Sequence, residues 1–161
     1  MTRNQRQETR VYKKALDTAV RVLARRDHTR LEIEQKLKQR GYNREIIRAV
    51  AAECERLNYI DDERTAKVYI RQLARRGFGF RRIRLELNRK GLKGDRFEPI
   101  INASRLEFDE HEIANRVLQK KMKSFEREED SKKRRDKIYR FLYSRGFSEP
   151  IISGLLREFF T

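Results

Sequence analysis

The sequence predicts an all-α fold of three tandem three-helix repeats, with about nine helices in an elongated, curved array. Three observations lead to this prediction. Only 7 Gly and 2 Pro occur among the 161 residues, so few residues interrupt helices. Apolar residues recur three and four positions apart, as they do on one face of a helix. In addition, one pattern of residues occurs three times along the chain.

The repeated pattern consists of an apolar pair at positions i and i+4, followed by a basic residue and a glycine. It covers residues 33–42, 83–92 and 138–147. Glycine allows the left-handed conformation that ends many helices, and the cation suits the negative end of the helix dipole. Apolar residues follow six, nine and ten positions after each glycine, which predicts one more amphipathic helix in every repeat. The three glycines are Gly41, Gly91 and Gly146.

The helix that opens each repeat is predicted from the upstream alignment. Apolar positions 16, 19, 20, 23 and 24 match positions 66, 69, 70, 73 and 74 without a gap. The third repeat begins near Asp109, and its charged stretch at 126–133 either lengthens a helix or forms a loop. We therefore expect a basic N-terminal extension at residues 1–11 and repeats at 12–61, 62–108 and 109–161.

Composition excludes several protein classes. No apolar run approaches the roughly 20 residues that a membrane span needs, and the first ten residues are polar, unlike a signal peptide. A single cysteine forms no intrachain disulfide, and with two histidines it cannot build a Cys/His zinc site. We therefore expect a cytoplasmic protein, monomeric and without a membrane partner.

Positive charge is the strongest functional signal in the sequence. The net charge is +16, and residues 62–108 are the most basic part, with 13 basic and 6 acidic residues. Cations on the first helix of this repeat recur at spacings of 3, 4 and 4, which places them on one stripe without acidic partners nearby in the sequence. Such a stripe is either a solvated face or a surface for a polyanion, and the clustering favours the polyanion. The candidate contact residues are Arg64, Lys67, Arg71, Arg75, Arg76, Arg81, Arg82, Arg89 and Lys90.

The sequence shows no catalytic set, metal site or cofactor motif, so we predict that the protein is not an enzyme. The acids of Tyr59-Ile60-Asp61-Asp62-Glu63 are interpreted as a helix start, with Asp61 or Asp62 as the N-cap. Gly77-Phe78-Gly79-Phe80 lacks the rest of a phosphate-loop motif and is interpreted as a helix–helix turn, with one of its phenylalanines packed inward. Cys54 is expected in the core, since no histidine activates it.

Aromatic residues leave one question open. Most of the six tyrosines and nine phenylalanines lie at core positions of the helical pattern. For Tyr69, Tyr139 and Tyr143 the pattern does not decide between a core position and a surface that stacks on nucleic-acid bases.

Residues 59–92 carry a family resemblance. They resemble the signature of the bacterial RecX regulatory proteins, and the wider similarity covers about residues 15–160. Phe80 stands where many members of that family have proline, which affects one turn. The matching residues are Tyr59-Ile60-Asp61-Asp62-x-Arg64-x-Ala66-xx-Tyr69 and Arg76-Gly77-x-Gly79-xx-Arg82-Ile83-xx-Glu86-Leu87-xx-Lys90-Gly91-Leu92.

The resemblance implies a non-enzymatic modulator of the RecA recombinase. Such a protein lies in the helical groove of the RecA–single-stranded DNA filament and inhibits its ATPase, recombinase and coprotease activities, which modulates DNA repair and the SOS response. The expected partners are the RecA filament and the phosphates of single-stranded DNA.

Two other functions remain open at this point. The first is a stand-alone nucleic-acid-binding protein whose repeats act as helix-turn-helix-like modules. The second is a nuclease, which would need a carboxylate–metal cluster that the sequence does not place.

Overall fold

The structure is a computed structural model that describes residues 3–160, with side chains from residue 5 onward. These residues form nine α-helices and no strand, which confirms the predicted all-α tandem repeat. The helices are α1 (Arg3–Leu23), α2 (Arg30–Gln39), α3 (Arg44–Arg56), α4 (Asp62–Arg75), α5 (Phe80–Arg89), α6 (Glu98–Glu107), α7 (Glu110–Phe125), α8 (Ser131–Ser144) and α9 (Glu149–Phe159).

The chain divides into two compact units. Unit 1 extends to Thr65 and includes Lys90–Leu92, and unit 2 comprises Ala66–Arg89 and the residues from Lys93 onward. Helix α1 begins at Arg3, so it spans both the predicted extension and the start of the first repeat, and Met1, Thr2 and Thr161 lie outside the described residues. The limits of the extension and the repeats stay predictions.

Unit 1 has its core where α1 packs against α2 and α3. Helix α3 supplies Cys54, which is fully buried as predicted. The remaining buried residues of this core are Ala15, Ala19, Ile33, Leu37, Ile47, Val50 and Ile60.

One part of the repeat alignment is wrong about burial. Val20 is 36% exposed although its aligned partner Ile70 is fully buried, and Ala24 is exposed although Ala74 is buried. The buried stripe of α1 is instead centred on Ala15 and Ala19. At Ala74, the α7 residue Arg116 donates to the Ala74 carbonyl at 3.4 Å, so α7 lies beside the end of α4.

Unit 2 contains a core in which α7, α8 and α9 pack against one another. The apolar positions predicted from the spacing after each glycine are all buried in both units, which confirms an amphipathic helix at α3, α6 and α9. They are Ile47, Val50, Ala51, Phe97, Ile100, Ile101, Ile152, Leu155 and Leu156.

The repeated glycines end helices as predicted. Gly41 and Gly146 have φ values of +83° and +88°, and Gly91 has +78°. The N–H of Tyr42 donates to the Leu37 carbonyl at 3.3 Å. Together with the bond from the Gly41 N–H to the Lys38 carbonyl at 3.0 Å, this forms a Schellman motif, and Gly146 ends α8 in the same way.

The charged stretch at 126–133 is a link up to residue 130 and the start of α8 from residue 131. Helix α7 ends at Phe125 and α8 begins at Ser131, which leaves residues 126–130 as a link. The Asp130 carboxylate accepts from the Lys133 N–H at 3.0 Å and caps α8.

The starts of α2 and α5 share one arrangement. In unit 1, the Arg30 N–H donates to Asp62 Oδ1 at 2.9 Å, and Thr29 Oγ1 donates to the Lys90 carbonyl at 2.8 Å. In unit 2, the N–H groups of Gly79 and Arg81 donate to the carbonyls of Arg145 and Gly146 at 2.9 and 3.1 Å. In both units, carbonyls that follow another helix accept bonds at the start of the second helix, from the Thr29 hydroxyl in unit 1 and from backbone N–H groups in unit 2. The Asp62 carboxylate satisfies a free N–H of α2.

Candidate nucleic-acid interface

The predicted basic stripe lies on the exposed face of α4. The helix begins where predicted, since Asp61 Oδ1 accepts from the Arg64 N–H at 2.9 Å. Its opposite face is buried through Ala66, Ile70 and Leu73. Arg64 belongs to unit 1 and the rest of the stripe to unit 2. The exposed cations are Arg64, Lys67, Arg71 and Arg75.

The expectation that this stripe lacks acidic partners is wrong for two of its members. Arg71 Nε lies 3.0 Å from Glu107 Oε1 on α6, and Arg64 Nη2 lies 3.4 Å from Asp27 Oδ1. Sequence reasoning missed these carboxylates because they lie 36 and 37 residues away along the chain. Both pairs are about half exposed, so each contributes at most about 1 kcal/mol and leaves the guanidinium accessible.

Lys67 and Arg75 form no ion pair among the described residues, so they are the stripe's unpaired cations. Both side chains are exposed, and one lies two turns of α4 after the other. An anionic partner would contact these two cations without breaking an internal ion pair.

Three of the candidate cations on and just after α5 are paired with carboxylates. Arg82 Nε and Arg89 Nη1 lie 2.8 and 3.0 Å from Glu86 Oε1. In unit 1, Lys90 Nζ lies 2.7 Å from Glu32 Oε1. Burial raises the pKa of Glu32, but the bonds from Lys90 and the Thr29 N–H outweigh it and leave the pKa below its ordinary value. Lys90 therefore serves the fold of unit 1.

A second group of cations surrounds the link between α4 and α5. Three guanidinium carbons lie near the Phe78 ring centroid, at 5.3 Å for Arg76, 5.9 Å for Arg82 and 5.4 Å for Arg145. Gly77-Phe78-Gly79-Phe80 is the helix–helix turn that was predicted, and Phe80 is the phenylalanine that packs inward, with 1% exposure. We define the arginine–aromatic cluster of unit 2 as Arg76, Phe78, Arg81, Arg82, Tyr143 and Arg145.

Backbone contacts hold this cluster together. Arg145 Nη1 donates to the carbonyls of Arg76 and Gly77 at 3.1 and 3.2 Å. A Cβ at Gly79 would lie 2.4 Å from the Gly146 carbonyl oxygen, so only glycine fits this approach. The link before α5 and the end of α8 are thus fixed against each other.

Two tyrosines extend the cluster along α8. The rings of Tyr139 and Tyr143 stack with centroids 5.9 Å apart and planes 13° apart. Arg81 Cζ lies 4.3 Å from the centroid of Tyr143, and its Nη2 donates to the Tyr143 hydroxyl at 3.1 Å. The hydrogen bond from the Tyr139 hydroxyl to Glu149 raises the pKa of that tyrosine.

Sequence reasoning did not select Phe78, Tyr143 or Arg145 as contact residues. The available signal was the Arg-Gly pair at positions 145–146, which matches Arg40-Gly41 in the first repeat. The match predicts that α8 ends near Arg145. It does not predict that Arg145 contacts the turn at Arg76 and Gly77.

The structure gives no support for a metal site or for a reactive cysteine among the described residues. The described residues contain no group of three or more His, Cys, Asp or Glu that is arranged to hold a metal ion. Burial raises the pKa of the Cys54 thiol, and the nearby Glu53 raises it further. Within the described part of the chain, every helix is too short or too polar to cross a membrane.

Family models match each of the three repeats. The model of the first RecX three-helix domain matches residues 15–54, that of the second matches 61–95, and that of the third matches 109–156. Together they cover more than half of the chain.

Similar proteins and structures carry the same family name. A "Regulatory protein RecX" of Legionella pneumophila (strain Corby) is 34% identical over 146 residues, covering 90% of this chain and 94% of the relative. One from Vibrio parahaemolyticus is 38% identical over 142 residues, covering 87% and 88%. The crystal structure of RecX from Lactobacillus salivarius matches with a TM-score of 0.76 at 22% identity, covering 91% of this chain and 95% of that one, and shows the fold.

Proposed function

The chain belongs to the RecX family, and from that premise we propose that it binds the RecA–single-stranded DNA filament in its helical groove. The bound protein inhibits the ATPase, recombinase and coprotease activities of the filament, and so modulates DNA repair and the SOS response. We further propose that it acts as a cytoplasmic monomer without catalytic activity of its own.

The observation that carries this proposal is the pair of unpaired cations on α4. Lys67 and Arg75 are exposed and lack ion-pair partners among the described residues. Each lies four residues from Arg71, and like charges at that spacing are mildly destabilising until a polyanion neutralises them. DNA phosphates and acidic side chains of a filament groove both supply that charge.

The arginine–aromatic cluster supports the same proposal. It adds the guanidiniums of Arg76, Arg81 and Arg145 to unit 2, and none of them forms an ion pair with a carboxylate in the described chain. Guanidinium groups bind phosphate and carboxylate through paired N–H donors. Unit 2 therefore offers two cationic surfaces to a filament.

A charge-reversal variant tests the proposal. Lys67→Glu combined with Arg75→Glu removes the unpaired cations and retains Arg71 and Glu107, and we expect it to lose inhibition of RecA while remaining folded. The matched control combines Lys38→Glu with Arg48→Glu, two exposed cations of unit 1 that form no ion pair among the described residues. Both variants change the net charge by the same amount. Equal inhibition by the two variants would exclude the α4 stripe as the contact surface.

The stand-alone nucleic-acid-binding protein remains the second candidate. Short links of four residues, 40–43 and 145–148, join the second and third helices of the first and third repeats, as in helix-turn-helix modules. Duplex binding with strong discrimination between base pairs would favour this function. Binding that depends on salt but little on sequence indicates phosphate contacts alone.

A further inference from the structure

Arg81, Tyr143 and Tyr139 form a column of three planar groups on the surface of unit 2. The Arg81 guanidinium lies 4.3 Å from the Tyr143 centroid, and the two tyrosine rings lie nearly parallel at 5.9 Å. Tyr143 is 47% exposed and Arg81 is exposed. About half of the Tyr143 side chain is therefore accessible to a partner.

The column is held in place by hydrogen bonds. Arg81 Nη2 donates to the Tyr143 hydroxyl at 3.1 Å, and the Tyr139 hydroxyl donates to Glu149 Oε2 at 2.6 Å. The Arg81 N–H is itself bonded to the Gly146 carbonyl at 3.1 Å. A partner that stacks on these groups therefore loses little side-chain entropy, because their orientation is already restricted.

Cations lie near the Tyr143 end of the column, and the Glu149 carboxylate lies at its Tyr139 end. Arg145 follows Tyr143 by two residues, and both it and Arg76 lie over Phe78. Neither forms an ion pair with a carboxylate among the described residues. The surface thus combines flat groups that stack with cations that bind anions.

This combination fits an unpaired nucleotide better than an acidic peptide. A nucleotide of a single strand has both a planar base and a phosphate, and bases stack on aromatic rings and on guanidinium planes. An acidic peptide would use the cations and leave the column without a stacking partner. A duplex keeps its bases stacked on one another, so its base faces do not reach the column.

We propose that the Arg81–Tyr143–Tyr139 column stacks on an unpaired base of single-stranded DNA while Arg76 and Arg145 contact neighbouring phosphates. This inference deepens the proposed function and rests on it for the choice of single-stranded DNA. Because every base has a planar face, the column selects single strands over duplexes without selecting a sequence.

The test compares two strands with the same phosphates. Fluorescence anisotropy measures binding to a labelled 20-nucleotide oligothymidine and to an abasic strand of the same length. Tyr143→Leu is expected to weaken binding of oligothymidine by roughly five- to one-hundred-fold and to leave binding of the abasic strand nearly unchanged. The matched control is Tyr59→Leu, since Tyr59 of unit 1 is also 47% exposed.

Conservative variants separate stacking from folding. Tyr143→Phe keeps the ring, and we expect it to bind oligothymidine within about twofold of the parent protein, as the stacking face is retained. Arg81→Lys keeps the charge but removes the planar group, and it is expected to lose affinity for oligothymidine selectively. Urea unfolding of each variant shows whether the fold is retained.

The chain also provides a direct optical signal. It contains six tyrosines and no tryptophan, so tyrosine emission is not masked. Stacking predicts that oligothymidine quenches this emission in the parent protein, that the quench is reduced in Tyr143→Leu, and that the abasic strand produces little quenching.

Two results would overturn the inference. The first is that Tyr143→Leu loses the same affinity for both strands. The second is that Tyr143→Leu and Tyr59→Leu bind oligothymidine with equal affinity. In the second case the column does not stack on the bases of the strand. The two proposals can fail separately. If the protein does not inhibit RecA but binds oligothymidine more tightly than the abasic strand through Tyr143, the filament function is wrong and the base-stacking site is retained.

Discussion

The backbone N–H of Phe80 donates to Glu110 Oε1 at 2.9 Å, which joins the start of α5 to the start of α7 within unit 2. Unit 1 contains the equivalent bond between the Arg30 N–H and Asp62 Oδ1, also at 2.9 Å. In each case the first acids of one repeat cap the second helix of the repeat before it. An acid at a helix N-terminus satisfies a free donor and interacts favourably with the helix dipole.

Removing this acid in unit 2 is expected to destabilise the fold. Glu110→Ala leaves the N–H of the buried Phe80 without its acceptor, which costs about 1–3 kcal/mol of unfolding free energy. Urea unfolding followed by circular dichroism measures the change. Glu112→Ala, an exposed acid in the same turn of α7, serves as the control and is expected to cost about 0.5 kcal/mol or less. Equal stability of the two variants would show that the Glu110 bond contributes nothing.

The close approach of Gly79 to Gly146 gives a second prediction. Gly79→Ala puts a Cβ 2.4 Å from a backbone oxygen that has no flexible way to move, so we expect a loss of more than about 1 kcal/mol of stability. The matched variant is Gly154→Ala within α9, where a Cβ meets nothing within 4 Å. This change is expected to stabilise the helix by up to about 1 kcal/mol. Thermal unfolding should therefore shift in opposite directions for the two variants.

His28 is expected to make the stability of unit 1 depend on pH. Burial lowers the pKa of its imidazole, which is 4% exposed and bonded through Nδ1 to the Arg26 carbonyl. The unfolded chain therefore binds more protons than the folded one once the pH falls to about 6.5, the ordinary histidine pKa. The stabilisation is fully present above that pH and is lost as the pH falls through the lower folded pKa.

Unfolding free energies measured between pH 8 and pH 5.5 test this expectation. The parent protein should lose stability as the pH falls, and His28→Asn should lose less over the same range. Other charged groups near His28 are Arg26, Glu32 and Lys36. The Glu32 carboxyl has a lowered pKa and titrates below this range, so it does not account for the slope. His111→Gln is the control, and a slope unchanged by His28→Asn would contradict the assignment.

Salt dependence measures how many cations of α4 contact phosphate. Each phosphate neutralised on single-stranded DNA contributes about −0.7 to the slope of log K against log salt concentration. If Lys67 and Arg75 each contact one phosphate, the double variant Lys67→Ala/Arg75→Ala reduces the magnitude of the slope by about 1.4. The variant Lys38→Ala/Arg48→Ala should leave it unchanged. If Lys67→Ala/Arg75→Ala has the same slope as the parent protein, these two cations do not contact phosphate.

The helices were predictable because their signals are local. The apolar spacing around Ile33 and Leu37, the glycine at position 41 and the acid at position 61 each act within one turn of their own helix. The buried face of α1 was not predictable from the repeat alignment, because burial at Val20 depends on which other helices lie beside it.

The candidate site was predictable only in part for the same reason. The stripe on α4 follows from residue spacing, and all four of its cations are exposed. The Arg71–Glu107 pair and the approach of Arg145 to Phe78 depend on tertiary contacts between residues far apart in the sequence. Helical periodicity contains no information about such contacts, so the arginine–aromatic cluster emerged only from the structure.

The measurement that tests the central claim most directly is ATP hydrolysis by RecA on single-stranded DNA, titrated with this protein. Binding of the protein to the same DNA without RecA is measured in parallel. We predict inhibition at concentrations well below those needed to coat the bare DNA, because the RecA–DNA filament is the target. Inhibition only at DNA-saturating concentrations, or none, would contradict the filament-binding function.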